Sequence, residues 1–363
     1  GFVMHKPHFT LGITCVGGNF IADIVNALRA APDFSVTIIG VDANPEARGR
    51  VLCDHFTVLP MAEKEEHAYV EGWQQLRARH RVELVLILSE GESRVLAGNA
   101  ATLQADGLRL SVGSQESVET MTDKLRMLEV AASKGIDNGP FYAIDGENDV
   151  GSALRELGYP KRKVIIKPRK SYGTRGVMIV DGDKTEWNLL SPERFVGIGD
   201  QKSVFEAVVE ANIDLTNMIA VPFVDGPIYD VDCLATEGQM HDAVGRLRQW
   251  RNPLSASSTG NKIDMNPRVI DHAKALCEAF TVDGCGDFDM VIEKDGRPTV
   301  FDASARLSGS VGGSVLAGVN IPAQLVRQRM KLPLIKYHVT DGCIVRPFAT
   351  FLRIPDANQN DFI

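Results

Sequence analysis

Residues 286–306, GDFDMVIEKDGRPTVFDASAR, are patterned to fold back on themselves as a β-hairpin. Phe288, Met290 and Ile292 alternate with Asp289, Val291 and Glu293. The turn residues Lys294, Asp295, Gly296, Arg297 and Pro298 follow, and Thr299-Val300-Phe301 restarts the strand. A period of two puts Asp302, Ser304 and Arg306 on one face, with Ala303 and Ala305 turned away. Asp289, on the partner strand, brings a second carboxylate to the same place. Two acids and a hydroxyl make a hard-oxygen site suited to Mg²⁺. The arginine beside them suits a carboxylate or a phosphate. The competing reading is an ordinary exposed hairpin with a polar face.

The rest of the chain sets bounds on that choice. At 363 residues it is long enough for two or three domains with real cores. Acids outnumber bases, 47 to 39, which argues against a nucleic-acid-binding surface. No apolar run approaches membrane-spanning length, and the start lacks the layout of a signal peptide. Residues 1–9 read as a loose N-terminus. Six scattered cysteines without a CxxC pair are expected to be reduced thiols of a cytoplasmic protein.

Residues 11–118 alternate strand and helix. Apolar strands are expected at 11–16, 36–41, 82–88 and 109–112, with helices over 20–31 and 63–79. Strands apolar on both sides imply a parallel sheet covered on both faces, with ligands at the carboxyl ends of its strands. Those ends carry Gly17-Gly18, Asp42 and Ser89-Glu90. A nicotinamide-dinucleotide site is one reading of glycines after the first strand and an acid after the second. The spaced glycines that admit a pyrophosphate are missing, so a plain tight turn is the competing reading.

In the middle of the chain, Asp123 caps a helix that begins at Lys124. A strand ends in Lys167-Pro168, and a loop of glycines, hydroxyls and cations (Ser171, Gly173, Thr174, Gly176) leads into the strand 177–180. Glycine frees backbone N–H groups to form an anion nest, so such a loop can close over phosphates. It is not a P-loop, and a basic surface hairpin is the alternative. The apolar run 218–224 suits either a wall for adenine or a core strand. Asp230 and Asp232 follow on another strand. Arg246, Arg248 and Arg251 gather into a candidate anion site, and residues 307–314 read as a flexible small-residue loop.

Lys124, Lys167 with its glycine loop, the run 218–224, and Asp289 with Asp302-Ala303-Ser304-Ala305-Arg306 occur in that order. In this the chain resembles the ATP-grasp superfamily, in particular its branch similar to the carbamoyl-phosphate synthetase large chain and biotin carboxylase. The resemblance covers residues 11–330. It implies an α/β chain: a Rossmann-like pre-ATP-grasp domain over 10–118, then an α+β ATP-grasp domain over 119–363. The latter would have a lid over about 145–222 and a metal- and phosphate-binding lobe over about 223–345. By the resemblance, Lys124 and Lys167 bind ATP phosphates under the 171–176 loop. The backbone of Ala220, Val221, Phe223 and Val224 holds adenine, with Asp230 nearby. Asp289, Asp302 and Ser304 stand where Mg²⁺ (alternatively Mn²⁺) is ligated, and Arg306 with Lys167 is catalytic. Gly17, Gly18, Glu90, Arg246, Arg248, Arg306, Ser308, Gly309 and Ser310 would shape the substrate site.

The implied activity is that of an ADP-forming ligase joining a carboxylate to an amine through an acyl-phosphate. Its substrates would be small molecules such as amino acids, with no nucleic acid or membrane partner, and homodimers are common in the family. The family usually ends its hairpin Glu-x-Asn-Pro-Arg. Here Asp302 and Ser304 replace the acid and the amide, and Pro222 stands where many members carry an acid. A relative that binds nucleotide without ligase chemistry is therefore the second reading.

Overall fold

The computed structural model describes residues 5–170, 176–249 and 260–354. Its first sheet is parallel and five-stranded. In spatial order the strands are His55–Val58, Ser35–Asp42, His8–Ile13, Leu84–Leu86 and Arg109–Leu110. Strand His55–Val58, with Phe56 buried but its other residues partly open, carries too short an apolar run to stand out in the sequence. The first strand starts at His8, inside the stretch expected to be loose. Its ring nitrogens meet Ser35 Oγ and Thr37 Oγ1, each at 2.7 Å, which ties the edge of the strand to its neighbour.

A second sheet forms the lid. Its six strands run Tyr142–Ile144, Met218–Pro222, Val164–Pro168, Met178–Val180, Val196–Gly199 and Asn188–Ser191 in space. The lid sheet thus begins at Tyr142, a little before the expected boundary. Helices Glu147–Glu156 and Gln201–Glu210 cover it and close a core of Leu154, Ile166, Met178, Val204 and Met218.

The third sheet belongs to the large lobe and is antiparallel. Its order is Pro298–Ser304, Gly284–Ile292, Ile228–Thr236, Gln239–Arg248, Asn261–Ile263 and Ile344–Val345. One face, with Tyr229, Val231, Phe288 and Met290, packs on helix Pro267–Ala279 and on a cluster that reaches Trp73 and Leu96 of the N-terminal domain. The far end of the other face, with Leu234, Val244 and Cys285, joins a core containing Leu11, Ile13 and Leu86. The N-terminal sheet and the large lobe are therefore one packed body, and the stem of the lid rises from it. Among the described residues no helix is long and apolar enough to cross a membrane.

Candidate active site

Across an antiparallel ladder, directly opposed residues project to the same face. The register of the large-lobe sheet sets Asp230, Asp289 and Asp302 in one row, and Asp232, Asp287 and Ser304 in the next. A bulge between Asp289 and Met290 leaves Phe301 unmatched, because Met290 faces Val300 and Asp289 faces Asp302. That extra residue lets Val300 point into the core while Asp302, two positions on, points to the cleft.

Five carboxylates on one face repel each other unless cations intervene. Arg248 grips Asp230 through both fork nitrogens, at 2.8 and 3.1 Å, and lies 3.7 Å from Asp289. Arg246 holds Asp232 at 3.0 Å. Lys124 approaches Asp302 at 3.5 Å, and Arg306 approaches Asp287 at 3.8 Å. Burial and the neighbouring Asp232 charge still push the Asp287 carboxyl up to about 8, and burial with Asp230 and Asp287 raises Asp289 well above the usual carboxylate range.

Lys124 is buried rather than a solvated first-turn lysine. Asp123 caps its helix, accepting hydrogen bonds from the N–H groups of Leu125 and Arg126, and also binds the guanidinium of Arg169 at 2.7 Å. Lys124 N–H donates to the Arg169 carbonyl at 2.8 Å, so this helix start is tied to the lid strand just past Lys167. Lys167 reaches down from that strand. Its Nζ donates to the carbonyl of the bulged Phe301 at 3.2 Å, with the Phe301 ring centroid 5.6 Å away. No carboxylate lies within 4 Å of it among the described residues. Burial, together with the Lys124 charge, pulls its ammonium down to about 8.

The N-terminal sheet contributes Glu90, the first residue of the helix Glu90–Gly98 that Ser89 caps. Its carboxylate is buried and accepts no hydrogen bond among the described residues. Burial and the Asp302 charge push it up to about 7, with Arg306 and Lys124 pulling the other way. Glu90 thus faces the hairpin from across the cleft. The Gly17-Gly18 turn lies beside it, and there Asp42 accepts the Gly17 N–H at 2.8 Å. The acid after the second strand is spent on closing this turn, which removes the group a nicotinamide dinucleotide would need for its ribose.

Several expected site residues are placed differently. Arg246 is wholly buried, and each of its three nitrogens already has a partner: it donates to Asp232, to Asn261 Oδ1 at 2.8 Å and to Ser308 Oγ at 3.3 Å, so it is held in the sheet rather than turned toward a substrate. Arg248 and Asp230 are committed to each other, and Asp230 is buried. The loop at 307–314 is anchored rather than flexible: Ser308 is buried, Ser314 Oγ donates to Asp232 at 2.6 Å, and a short helix Gly312–Leu316 forms. Gly309 and Ser310 remain open beside it.

Along Met218–Pro222, Ala220 faces Tyr142, while Phe223 N–H donates to the Lys163 carbonyl at 2.8 Å and Val221 pairs with Ile165 in the same direction. The backbones of Ala220, Val221 and Phe223 are therefore used within the sheet. The Pro222 carbonyl and Val224 lie past the end of strand Tyr142–Ile144. Gly176 holds φ of +68°, where glycine is favoured, and its N–H is taken by the Arg194 carbonyl at 2.7 Å. Ser171, Gly173, Thr174 and Arg251 lie outside the described residues.

Asp287, Asp232 and Asn261 were not singled out as site residues, although Asp287 alternates with Asp289 and Asp232 with Asp230. Among the described residues no three acidic, histidine or cysteine side chains yet converge as a metal cage. The carboxylates are spread over Lys124, Arg248 and Arg306. Two oxygens nevertheless fit a hard cation: Ser304 Oγ and Asp287 Oδ1 are both buried and both lack a hydrogen-bond partner.

Residues 214–350 match a family model described as ATP-grasp in the biosynthetic pathway with Ter operon. No curated protein matches the sequence. Among solved structures, L-amino acid ligase from Bacillus licheniformis is similar at 17% identity and a TM-score of 0.65, covering 90% of this chain and 75% of its own. N5-carboxyaminoimidazole synthetase from Staphylococcus aureus, complexed with ADP, is 14% identical with a TM-score of 0.69, over 93% of this chain and 82% of that one. The biotin carboxylase domain of Hydrogenobacter thermophilus 2-oxoglutarate carboxylase, in complex with MgADP, ADP and bicarbonate, is 12% identical with a TM-score of 0.68, over 92% and 72%. The likeness runs through the N-terminal sheet, the lid and the lobe alike, and the family match falls where the acids are: residues 214–350 match the ATP-grasp family model, and the chain as a whole shares the fold of these solved structures.

Proposed function

We propose that this chain is an ATP-dependent, ADP-forming ligase that activates a small carboxylate as an acyl-phosphate and joins it to an amine. The observation that carries the reading is Lys167: a buried ammonium, in the roof of an acidic cleft, whose hydrogen bond goes to a carbonyl while the acids pair with other cations. A charge held this way is expensive unless a ligand supplies the anion. Lys124, buried at the cleft floor, is set for the same ligand.

In this reading Lys124 and Lys167 neutralise the phosphates as negative charge gathers on the transferring group. The backbone at Pro222 and Val224 offers an edge for adenine. Asp289, Asp302 and Ser304 would hold Mg²⁺, which would supply further neutralisation of phosphate charge. Arg306 steadies the carboxylate and then its phosphate. The lid, lying over Phe301, keeps water from the activated acyl group. Glu90, with the small residues Gly17, Gly18, Gly309 and Ser310, frames the side on which the amine would enter. Their size and polarity favour a compact polar substrate, and an amino acid is the first class to try.

The test is ADP release with Mg²⁺ and ATP across pooled amino acids and small carboxylates. Substrate-dependent ADP with matching phosphate, lost in Arg306→Ala, is the expected result. ATP bound by calorimetry but never hydrolysed across broad pools would move the chain to the second reading, a nucleotide-binding relative without ligase chemistry.

A further inference from the structure

Asp287 stands directly across the ladder from Ser304, at the inner end of the acidic row. A carboxylate and a hydroxyl on facing positions of neighbouring strands are within reach of a hydrogen bond to each other. Here they do not: Asp287 Oδ1 and Ser304 Oγ are both buried, and neither has a partner. Ser304 is only 4% exposed, so bulk water does not compensate it. The second Asp287 oxygen lies 3.8 Å from Arg306, a loose approach beside the 2.8 Å grip of Arg248 on Asp230.

The charges around this point do not balance either. Asp230, Asp232 and Asp302 each have a cation of their own in Arg248, Arg246 and Lys124. Asp287, Asp289 and Glu90 are left to share Arg306, the far side of Arg248 and the more distant Lys167. Acids that outnumber the cations beside them, lined with unpartnered oxygens, are what a divalent cation satisfies.

We propose that Asp287 is a ligand of the divalent cation that accompanies the nucleotide, and that it shares this ion with Ser304. Its carboxylate then supplies what the hydroxyl cannot at the position where the ATP-grasp family usually carries an asparagine. The DxD of the first hairpin strand and the DxS of the second act as a matched set: Asp289 faces Asp302, and Asp287 faces Ser304. This inference rests on the nucleotide-binding reading above, and it adds a residue to the site that the hairpin's sequence resemblance does not assign.

The experiment is Mn²⁺ binding to the full chain in the presence of ADP, followed by the electron paramagnetic resonance of free Mn²⁺. Asp287→Asn keeps the shape of the side chain and removes its charge. The expected result is a Mn²⁺ dissociation constant raised about tenfold or more, with the thermal melt unchanged. Adding Ser304→Asn to that variant is expected to recover most of the loss, since it returns an amide oxygen to the ion. Arg306→Lys is expected to leave Mn²⁺ affinity within twofold of the parent.

Three results would overturn the inference while leaving nucleotide binding intact. One is Asp287→Asn binding Mn²⁺ as the parent does. Another is a loss that Ser304→Asn fails to restore. The third is an equal loss in Arg306→Lys, which would make Asp287 a positioning residue for the arginine. A parent protein that binds no Mn²⁺ with ADP at all would instead overturn the nucleotide reading, and this inference with it.

Discussion

The lid sheet and the large-lobe sheet have the same number of strands but are held in opposite ways. The lid is stabilised by its own apolar core, whose members all fall between Tyr142 and Ala220. Among the described residues the large lobe has no separate core: its apolar residues merge with those of the N-terminal sheet on one side and with Leu11, Leu86 and Val326 on the other. Buried polar links reinforce the union. Arg327, fully buried in the helix Ile321–Arg329, forks onto Asp33 of the N-terminal domain at 2.8 and 2.9 Å. The floor of the cleft is thus a rigid composite of two domains, and its roof is a small unit packed on itself. Lys167 comes from the roof, while Asp289, Asp302, Arg306 and Glu90 come from the floor. A cleft built this way can close without repacking its acids.

If the floor is one cooperative body, a defect in its polar centre should be felt far from the cleft. Among the described residues, Arg246→Ala removes the only guanidinium on Asp232 and leaves that carboxylate buried with the Ser314 hydroxyl. Losing one member of such a pair costs about 3–5 kcal/mol. The expected result in urea unfolding is a drop of that size, with hydrogen-exchange protection falling together in Ile228–Thr236 and in the N-terminal strand His8–Ile13. Loss confined to the lobe would show that the two domains are separable after all.

The complementary change is in the lid. Leu154, on helix Glu147–Glu156, is buried in the lid core. Leu154→Ala should cost about 2–5 kcal/mol through lost contacts and a cavity. In hydrogen exchange the lid strands, such as Val164–Pro168, should lose protection while His8–Ile13 keeps it. Equal loss in both would mean that roof and floor unfold as one, and the comparison would fail.

These contrasts also explain what could be read from the sequence. The hairpin was legible because its alternation is local: Phe288 and Met290 go inward, and Asp289 and Asp302 face outward together. The parallel sheet was legible from apolar strands spaced by helices. What was not legible depends on pairing between distant strands. Nothing near Asp232 in the chain announces that it lies beside Asp287, or that Arg246 would be consumed there. Three closely spaced arginines look like an anion site, but cross-strand acids claim two of them. A run of serines and glycines looks flexible, yet Ser308 and Ser314 are the hydroxyls that complete the Arg246–Asp232 network, and a Cβ on Gly312 would stand 2.6 Å from an Asp23 oxygen. Small residues there reflect close packing.

The smallest effect separates roof from floor by pH. Lys167 in the free protein is pulled down to about 8, against an ordinary value of 10.5 that it regains on unfolding. Between those values the unfolded chain holds more protons than the folded one, so this lysine makes nucleotide-free stability rise as pH climbs from about 8 to 10.5. Nucleotide binding has the opposite sign. Phosphates favour the ammonium, so above about pH 8 the complex must take up a proton to form. ADP affinity is therefore expected to be flat below that point and to weaken by up to about tenfold per pH unit above it. Lys167→Arg stays charged throughout and should flatten the upper limb of the binding profile, while Lys167→Ala should lower affinity at every pH and remove both slopes. Calorimetric titration with MgADP from pH 7 to 9.5 reads the first slope, and thermal melts of the free protein read the second. Opposed slopes that vanish together in Lys167→Ala would put the lysine of the roof against the phosphates. A parent profile with stability rising and affinity flat would leave it a buried lysine with no nucleotide contact.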